Sequence, residues 1–312
     1  MDKRIVENQA LLNEARAGLT AIPKSLPSKW LYDDRGSALF EQITGLPEYY
    51  PTRTEIGILT DTASRLARYV PKGGALVELG SGSSLKTRIL LDQLPDLGTY
   101  LPIDVSASFL QASASDLARS YASITVTPVV ADFSDDIDFP VEHGAQPKTA
   151  FFPGSTLGNL TADEATALLT RVRQWPGIEA FIIGIDLVKD IRTLINAYDD
   201  AAGVTAAFNR NILHRINREA GGTFDPDRFA HEARWSSEHS RIEMHLVSHV
   251  AQTVQLAETE IAFRPGESIH TESSHKYTED TLEKIVRAAG WTVDLFLTDA
   301  SKAFAVAALR PK

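Results

Sequence analysis

Hydrophobic positions in the middle of the chain come in short unbroken runs, separated by stretches with helical spacing. Ala75-Leu76-Val77-Glu78-Leu79 is one run, and it ends in glycines. Thr99-Tyr100-Leu101-Pro102-Ile103-Asp104 is a second, with Pro102 predicting a non-central stretch or a bulge. Residues Ile124 to Val130 are rich in β-branched side chains and make a third. Thr149 to Pro153 and Ala180 to Gly184 make the fourth and fifth. Helical spacing fills the intervals over Leu85 to Leu94, Ala107 to Ala122 and Ala162 to Gln174. The last of these opens with Thr161 and has Glu164 three residues on, a capping box. Unbroken apolar strands alternating with helices predict an α/β fold, a parallel sheet covered on both faces. Thr278 to Ala289 is an amphipathic helix stopped by Gly290, and strands Thr292 to Leu297 and Ala303 to Leu309 follow as a hairpin.

Two regions break the alternation. One is residues 1–56, helical and loop-like, punctuated by Pro23, Pro27, Pro47 and Pro51. The other runs from about 190 to 280, with helices through Arg218 and then strands Arg241 to Val250 and Thr253 to Phe263. Ile242, Met244 and Leu246 alternate with Glu243, His245 and Val247, which predicts one apolar face. The expected division is therefore 57–190 plus 278–312 for the sheet domain, and 1–56 plus 191–277 for a smaller α+β domain. There is no internal repeat and no low-complexity segment.

Composition narrows the chemistry. The 312 residues carry 31 Lys+Arg against 41 Asp+Glu, a net charge of −10, with no basic cluster, so a nucleic-acid partner is not expected. The absence of cysteine excludes disulfides, thiolate metal sites and cysteine nucleophiles. Met1 to Asn8 run into a mixed-charge helical pattern without the apolar core of a signal peptide. The longest apolar stretch, Ala180 to Leu187, is interrupted by Gly184 and Asp186 and is far below the ~20 residues that span a bilayer. These features predict a cytoplasmic protein with no membrane partner.

The candidate chemistry sits at the strand ends. Val77-Glu78-Leu79-Gly80-Ser81-Gly82-Ser83-Ser84 is E-x-G-x-G where the first strand turns into a helix. Glycines let backbone approach a ligand, and the helix offers free N–H groups. A dinucleotide turn would want glycine or alanine where Leu85 stands, and an acid before the glycines suits a cation better than a pyrophosphate. S-adenosylmethionine (SAM) has an ammonium, a sulfonium and no phosphate. Asp104 ends the second strand, placed to accept two ribose hydroxyls or to cap the following helix. Asp132 and Phe133 follow the third strand, placed for an adenine amino group and ring or for an ordinary loop.

Longer motifs carry a family likeness. Trp30-Leu31-Tyr32-Asp33, Leu46-Pro47-Glu48-Tyr49-Tyr50-Pro51-Thr52-Arg53, Glu78 to Gly82, Gly154-Ser155-Thr156-Leu157-Gly158-Asn159-Leu160, Asp186 to Asp190 and the block from Ala197 to Asn211 resemble the L-histidine Nα-methyltransferases of ergothioneine biosynthesis. Glu272-Ser273-Ser274-His275-Lys276 resembles that family's late substrate segment. The likeness covers nearly the whole chain from about Gly18. It implies a class I SAM-dependent methyltransferase sheet, Rossmann-like, with a substrate domain. It also implies trimethylation of the histidine α-amino group to hercynine.

Carried over by motif, the SAM contacts are Tyr32, Gly80, Lys86, Asp104, Asp132 and Phe133. The histidine contacts are Tyr49, Gly154, Asn159, Tyr198, Met244, Glu272 and Ser274, with Tyr32 and Gly154 orienting the amine. Asn159 and Tyr198 are neutral donors suited to a carboxylate; Glu272 can accept an imidazole N–H. Lys86 lies early in a helix, where the dipole disfavours a cation unless a carboxylate employs it. Tyr49 and Tyr50 are adjacent, so on a strand-like backbone only one would point inward. The late histidines include His245 and His249, about 13 Å apart on a strand and too far to share an ion, so no metal is expected. The expected state is a monomer acting on free L-histidine. Two alternatives stay open: an N-methyltransferase for another amino acid such as tryptophan, or a SAM-binding module without catalysis.

Overall fold

The computed structural model describes residues 6–82, 84–133 and 135–312. Met1 to Ile5, at the head of the expected N-terminal pattern, and Ser83 of the glycine turn lie outside the described residues. The chain divides into two compact units, Pro51–Val188 with His275–Lys312, and Met1–Tyr50 with Lys189–Ser274. The crossings fall at 50/51, 188/189 and 274/275, where sequence periodicity suggested 56/57, 190/191 and 277/278. The first difference has a local cause: the helix Tyr50–Leu66 is continuous through residue 56, so no punctuation marks that point.

The Pro51–Val188/His275–Lys312 unit is built on one sheet. Its strands run, edge to edge, Trp291–Thr298, Phe304–Pro311, Ile178–Asp186, Lys148–Phe152, Ala75–Leu79, Thr99–Asp104 and Thr125–Val126. Phe304–Pro311 is antiparallel to both of its neighbours, and the five strands from Ile178–Asp186 across to Thr125–Val126 are parallel. This is the order expected of a class I methyltransferase sheet, with the last strand, Phe304–Pro311, inserted antiparallel beside Ile178–Asp186. Ala75–Leu79 and Lys148–Phe152 are buried at every residue, as strands covered on both faces must be. One apolar cluster forms on the side of Leu168, Val286 and Trp291, and the other on the side of Leu59, Leu90 and Leu117.

Three expectations are corrected here. The third strand, expected over Ile124 to Val130, is two short pieces, Thr125–Val126 and Val129–Val130, both on Thr99–Asp104. Tyr100 and Asp104 turn their carbonyls toward this outer chain, accepting from Thr127 and Ala131. Pro102 lies in the same phase and has no N–H to offer, and the outer chain breaks opposite it at Thr127-Pro128. The proline therefore interrupts its neighbour, while its own strand stays regular beside Ala75–Leu79. The expected helix Leu85 to Leu94 ends earlier, at Leu91.

The Met1–Tyr50/Lys189–Ser274 unit has its own sheet, in the order Lys24–Ser25, Ser268–His275, Arg241–Ser248, Phe229–Ser236. Helix Gln9–Thr20 is capped by Asn8, whose side chain accepts from the Leu11 N–H. Helix Val204–Glu219 packs on the last two strands. The expected strand Thr253 to Phe263 is a hairpin, Gln252–Leu256 with Thr259–Phe263, turning at Ala257 with φ 49°. Arg241–Ser248 has an apolar face as expected at Ile242, Met244 and Leu246, but from His245 onward its other face is buried too. Tyr49 and Tyr50 are in a turn and the first position of a helix, not on a strand, so both are buried. Among the described residues no helix is long and apolar enough to cross a membrane.

Candidate active site

The glycine turn is fixed before any ligand arrives. Gly80 and Gly82 take φ 66° and 47°, left-handed values that favour glycine. The Gly80 and Ser81 N–H groups both donate to the Ile103 carbonyl, at 2.9 and 3.1 Å, tying the turn to the next strand. Asp104 accepts from Gly82 N at 3.2 Å and from Ser106 N at 3.0 Å, so it braces the turn as well as ending its strand. Phe133 stands beside Gly80, where a Cβ would come 3.8 Å from its ring, and packs edge-on to Phe152 at 5.2 Å. A Cβ on Gly82 would meet open space. The Ser81 hydroxyl is buried without a hydrogen-bond partner among the described residues. An orphaned polar atom beside open glycine backbone, at the carboxyl ends of parallel strands, fits a polar ligand of the SAM type. Asp132 lies in the same loop as Phe133.

Glu78 departs from expectation. Its carboxylate is buried beneath the turn rather than offered to a cation, and accepts from the Tyr100 and Thr87 hydroxyls. Burial pushes its pKa up to about 7, opposed by those two hydrogen bonds.

Gly154 and Asn159 belong to a single over-determined turn after Lys148–Phe152. Gly154 and Ser155 both have positive φ, 82° and 58°. Ser155 Oγ accepts from Asp186 N at 2.8 Å, and Thr156 Oγ1 donates to the Pro153 carbonyl at 2.9 Å. The 3-10 helix Thr156–Asn159 follows, and His275 Nδ1 lies 2.8 Å from the Gly158 carbonyl. Lys276 and Asp186 form a fully buried ion pair at 2.8 Å below it. Lys86 meets Glu55, a residue that sequence reasoning missed, at 2.6 Å. The missed signal was Gly184, a glycine inside an apolar strand, where close approach by another group is the rule.

The other unit gathers most of the expected histidine contacts. Tyr32 donates to Glu272 Oε1 at 3.2 Å and packs edge-on against Phe40 and Phe208. This places Tyr32, expected also as a SAM contact, beside Glu272, the acid expected to meet the imidazole. Burial and the neighbouring Glu272 push its phenol well above the usual range, so it stays a donor. Tyr49 packs edge-on against Tyr198 at 6.1 Å, and the Tyr198 hydroxyl lies 2.7 Å from Ser274 Oγ. Met244 is buried in the neighbouring strand.

Burial along Ser268–His275 loses its alternation at Thr271 and Glu272, which are both buried. Glu272 meets Tyr32 and Ser274 meets Tyr198, while Ser273 lies 3.1 Å from His270. A buried polar network runs back from Thr271. Thr271 Oγ1 is 2.6 Å from Asn209 Oδ1 and 3.0 Å from the Met244 carbonyl. Asn209 Nδ2 donates to the His245 carbonyl at 3.2 Å and to His231 Nδ1 at 2.9 Å. His231 Nε2–H then donates to the Tyr198 carbonyl at 2.7 Å, and burial holds this imidazole neutral. The other late histidines form no metal cluster: among the described residues no three His, Asp or Glu are placed to hold an ion.

The family model described as histidine-specific methyltransferase, SAM-dependent, matches residues 11–311. The chain belongs to this family. The histidine-specific methyltransferase sequence is similar to a histidine N-alpha-methyltransferase of Mycolicibacterium smegmatis, 45% identical over 93% of this chain and 92% of that one. A histidine N-alpha-methyltransferase of Mycobacterium tuberculosis is 43% identical over 90% of this chain and 88% of that one. Ergothioneine biosynthesis protein 1 of Neurospora crassa is 30% identical over 86% of this chain and 31% of that protein. In this family member the residues at the sheet's carboxyl ends fit the SAM that the family uses.

Proposed function

We propose that the chain methylates the α-amino group of L-histidine three times, giving hercynine, the opening reaction of ergothioneine biosynthesis. The observation that carries this reading is the Tyr32–Glu272 and Tyr198–Ser274 pairs, polar groups held in an aromatic shell, in a chain of a histidine-specific family. Glu272 accepts the imidazole N–H in this reading, with Ser274 beside it and Met244 and Tyr49 as lining. Asn159 and the Tyr198 hydroxyl take the substrate carboxylate. Gly80, Lys86, Asp104, Asp132 and Phe133 hold SAM.

SAM supplies, when bound, a methyl on a sulfonium that departs as a neutral thioether, so the leaving group needs no acid. The protein's task is to present a neutral amine in line, which is proximity and orientation. An α-amino group titrates near ~8 in a peptide and higher beside the free carboxylate of an amino acid, so a small fraction is neutral at working pH. Tyr32 remains protonated and orients the amine together with the Gly154 carbonyl; protons leave to water. The reading takes a cytoplasmic monomer, with neither nucleic acid nor membrane as partner. The test is mass spectrometry of SAM reactions with each standard amino acid. Histidine should gain the mass of three methyl groups, and a preference for another amino acid would overturn the assignment.

A further inference from the structure

We propose that Glu55 is a positioning residue for methyl transfer, holding the Lys86 ammonium and the Gly154 turn in one fixed arrangement. The proposal rests on the reading that Lys86 takes the SAM carboxylate. Glu55 projects from helix Tyr50–Leu66, and its side chain is 1% exposed. Both oxygens reach the Gly154 N–H, at 3.0 and 2.9 Å, and Oε2 lies 2.6 Å from Lys86 Nζ. A buried carboxylate is costly unless paired and hydrogen-bonded, and here it is both.

The surroundings are shaped around this group. A Cβ on Gly184 would stand 1.9 Å from Glu55 Oε1, so the strand keeps glycine where the carboxylate lies. A Cβ on Gly154 would stand 3.3 Å from Lys86 Nζ, so the ammonium lies over the Gly154 turn. Gly154 and Ser155 have consecutive left-handed backbones, with Ser155 paying the strain of a non-glycine residue there. Glu55 anchors the N–H at the head of that turn.

Each contact has a chemical consequence. Lys86 sits in the first turn of helix Leu85–Leu91, where the dipole repels a cation; Glu55 offsets this and fixes its direction. An ammonium has three donors, so a bond to Glu55 is compatible with one to a ligand carboxylate. One buried acid thus sets the group that grips the cofactor's amino-acid end and the turn that carries the Gly154 carbonyl.

The test compares two nucleosides by calorimetry. S-adenosylhomocysteine carries the carboxylate, and 5′-methylthioadenosine lacks it. Glu55→Gln should weaken S-adenosylhomocysteine by about tenfold or more while leaving methylthioadenosine within about twofold, and Glu55→Asp should recover part of the loss. Equal weakening of both ligands would mark a purely structural residue and overturn the proposal, as would no weakening of either. Lys86→Met is the control for the underlying reading. If it binds S-adenosylhomocysteine normally, the Lys86 assignment falls and the proposal with it. If it shows the expected selectivity while Glu55→Gln and Glu55→Asp do not, the proposal alone falls.

Discussion

The Tyr198 hydroxyl stands 2.7 Å from Ser274 Oγ, joining a helix end to a strand within one unit. Each hydroxyl is positioned by the other, and both are buried. Tyr198→Phe removes the donor proposed for the substrate carboxylate and takes this partner from Ser274. Losing such a bond costs about 1–3 kcal/mol, so KM for histidine should rise about tenfold or more. Steady-state kinetics on a variant with a near-native melting temperature checks it, and S-adenosylhomocysteine affinity should stay unchanged.

Side-chain choice should depend on Glu272. An acceptor left unpaired beside an apolar side chain is penalised by ~1–3 kcal/mol, more when charged, and that penalty favours histidine. Glu272→Ala should raise KM for histidine strongly, leave SAM binding nearly intact and relax discrimination against tryptophan. Kinetics with both amino acids decides; wild-type selectivity would remove Glu272 from the site.

Asn209 should matter without touching substrate. Asn209→Ala strips partners from Thr271, His231 and the His245 carbonyl at once. Breaking a buried network of this kind falls at the high end of single-mutation effects, about 2–4 kcal/mol. Denaturant titration should show that loss. His231→Gln, which keeps a donor for the Tyr198 carbonyl, should be milder in stability and should still raise KM for histidine.

Acid-base behaviour should be visible at Glu78. Its folded pKa, about 7, lies above the ordinary 4.5, so the folded state holds the proton more tightly than the unfolded chain. The linked stability is therefore fully present below pH 4.5, falls as pH rises, and is lost above about 7. Two to three pKa units correspond to about 3 kcal/mol. Glu78→Gln should flatten the fall in melting temperature between pH 5 and 7; an unchanged slope would mean that another group titrates there.

Much of the sheet was legible because its strands are short, apolar and covered on both sides, a pattern that needs no knowledge of partners. The places of the glycine turn, Asp104 and Phe133 were legible for the same reason: they sit at strand ends, and local position brings them together. Glu55 was not, because an acid on an amphipathic helix reads as solvated until packing brings Gly154 and Lys86 to it. Pro102 was half legible. Its missing N–H was evident, but which neighbour would bear the interruption depended on strand order. Tyr49 and Tyr50 misled because adjacency says nothing about backbone conformation.

The successive buried pair Thr271 and Glu272 makes the lining on the buried side of this strand depend on residue count as well as residue type. Removing Thr271 would restore strict alternation and keep Glu272 and Ser274 on the buried side, whereas removing Ser273 would turn Ser274 away from it. A single-codon deletion is therefore absorbed at one position of the strand and changes its lining two positions later, a distinction that comparisons of substitutions alone would overlook.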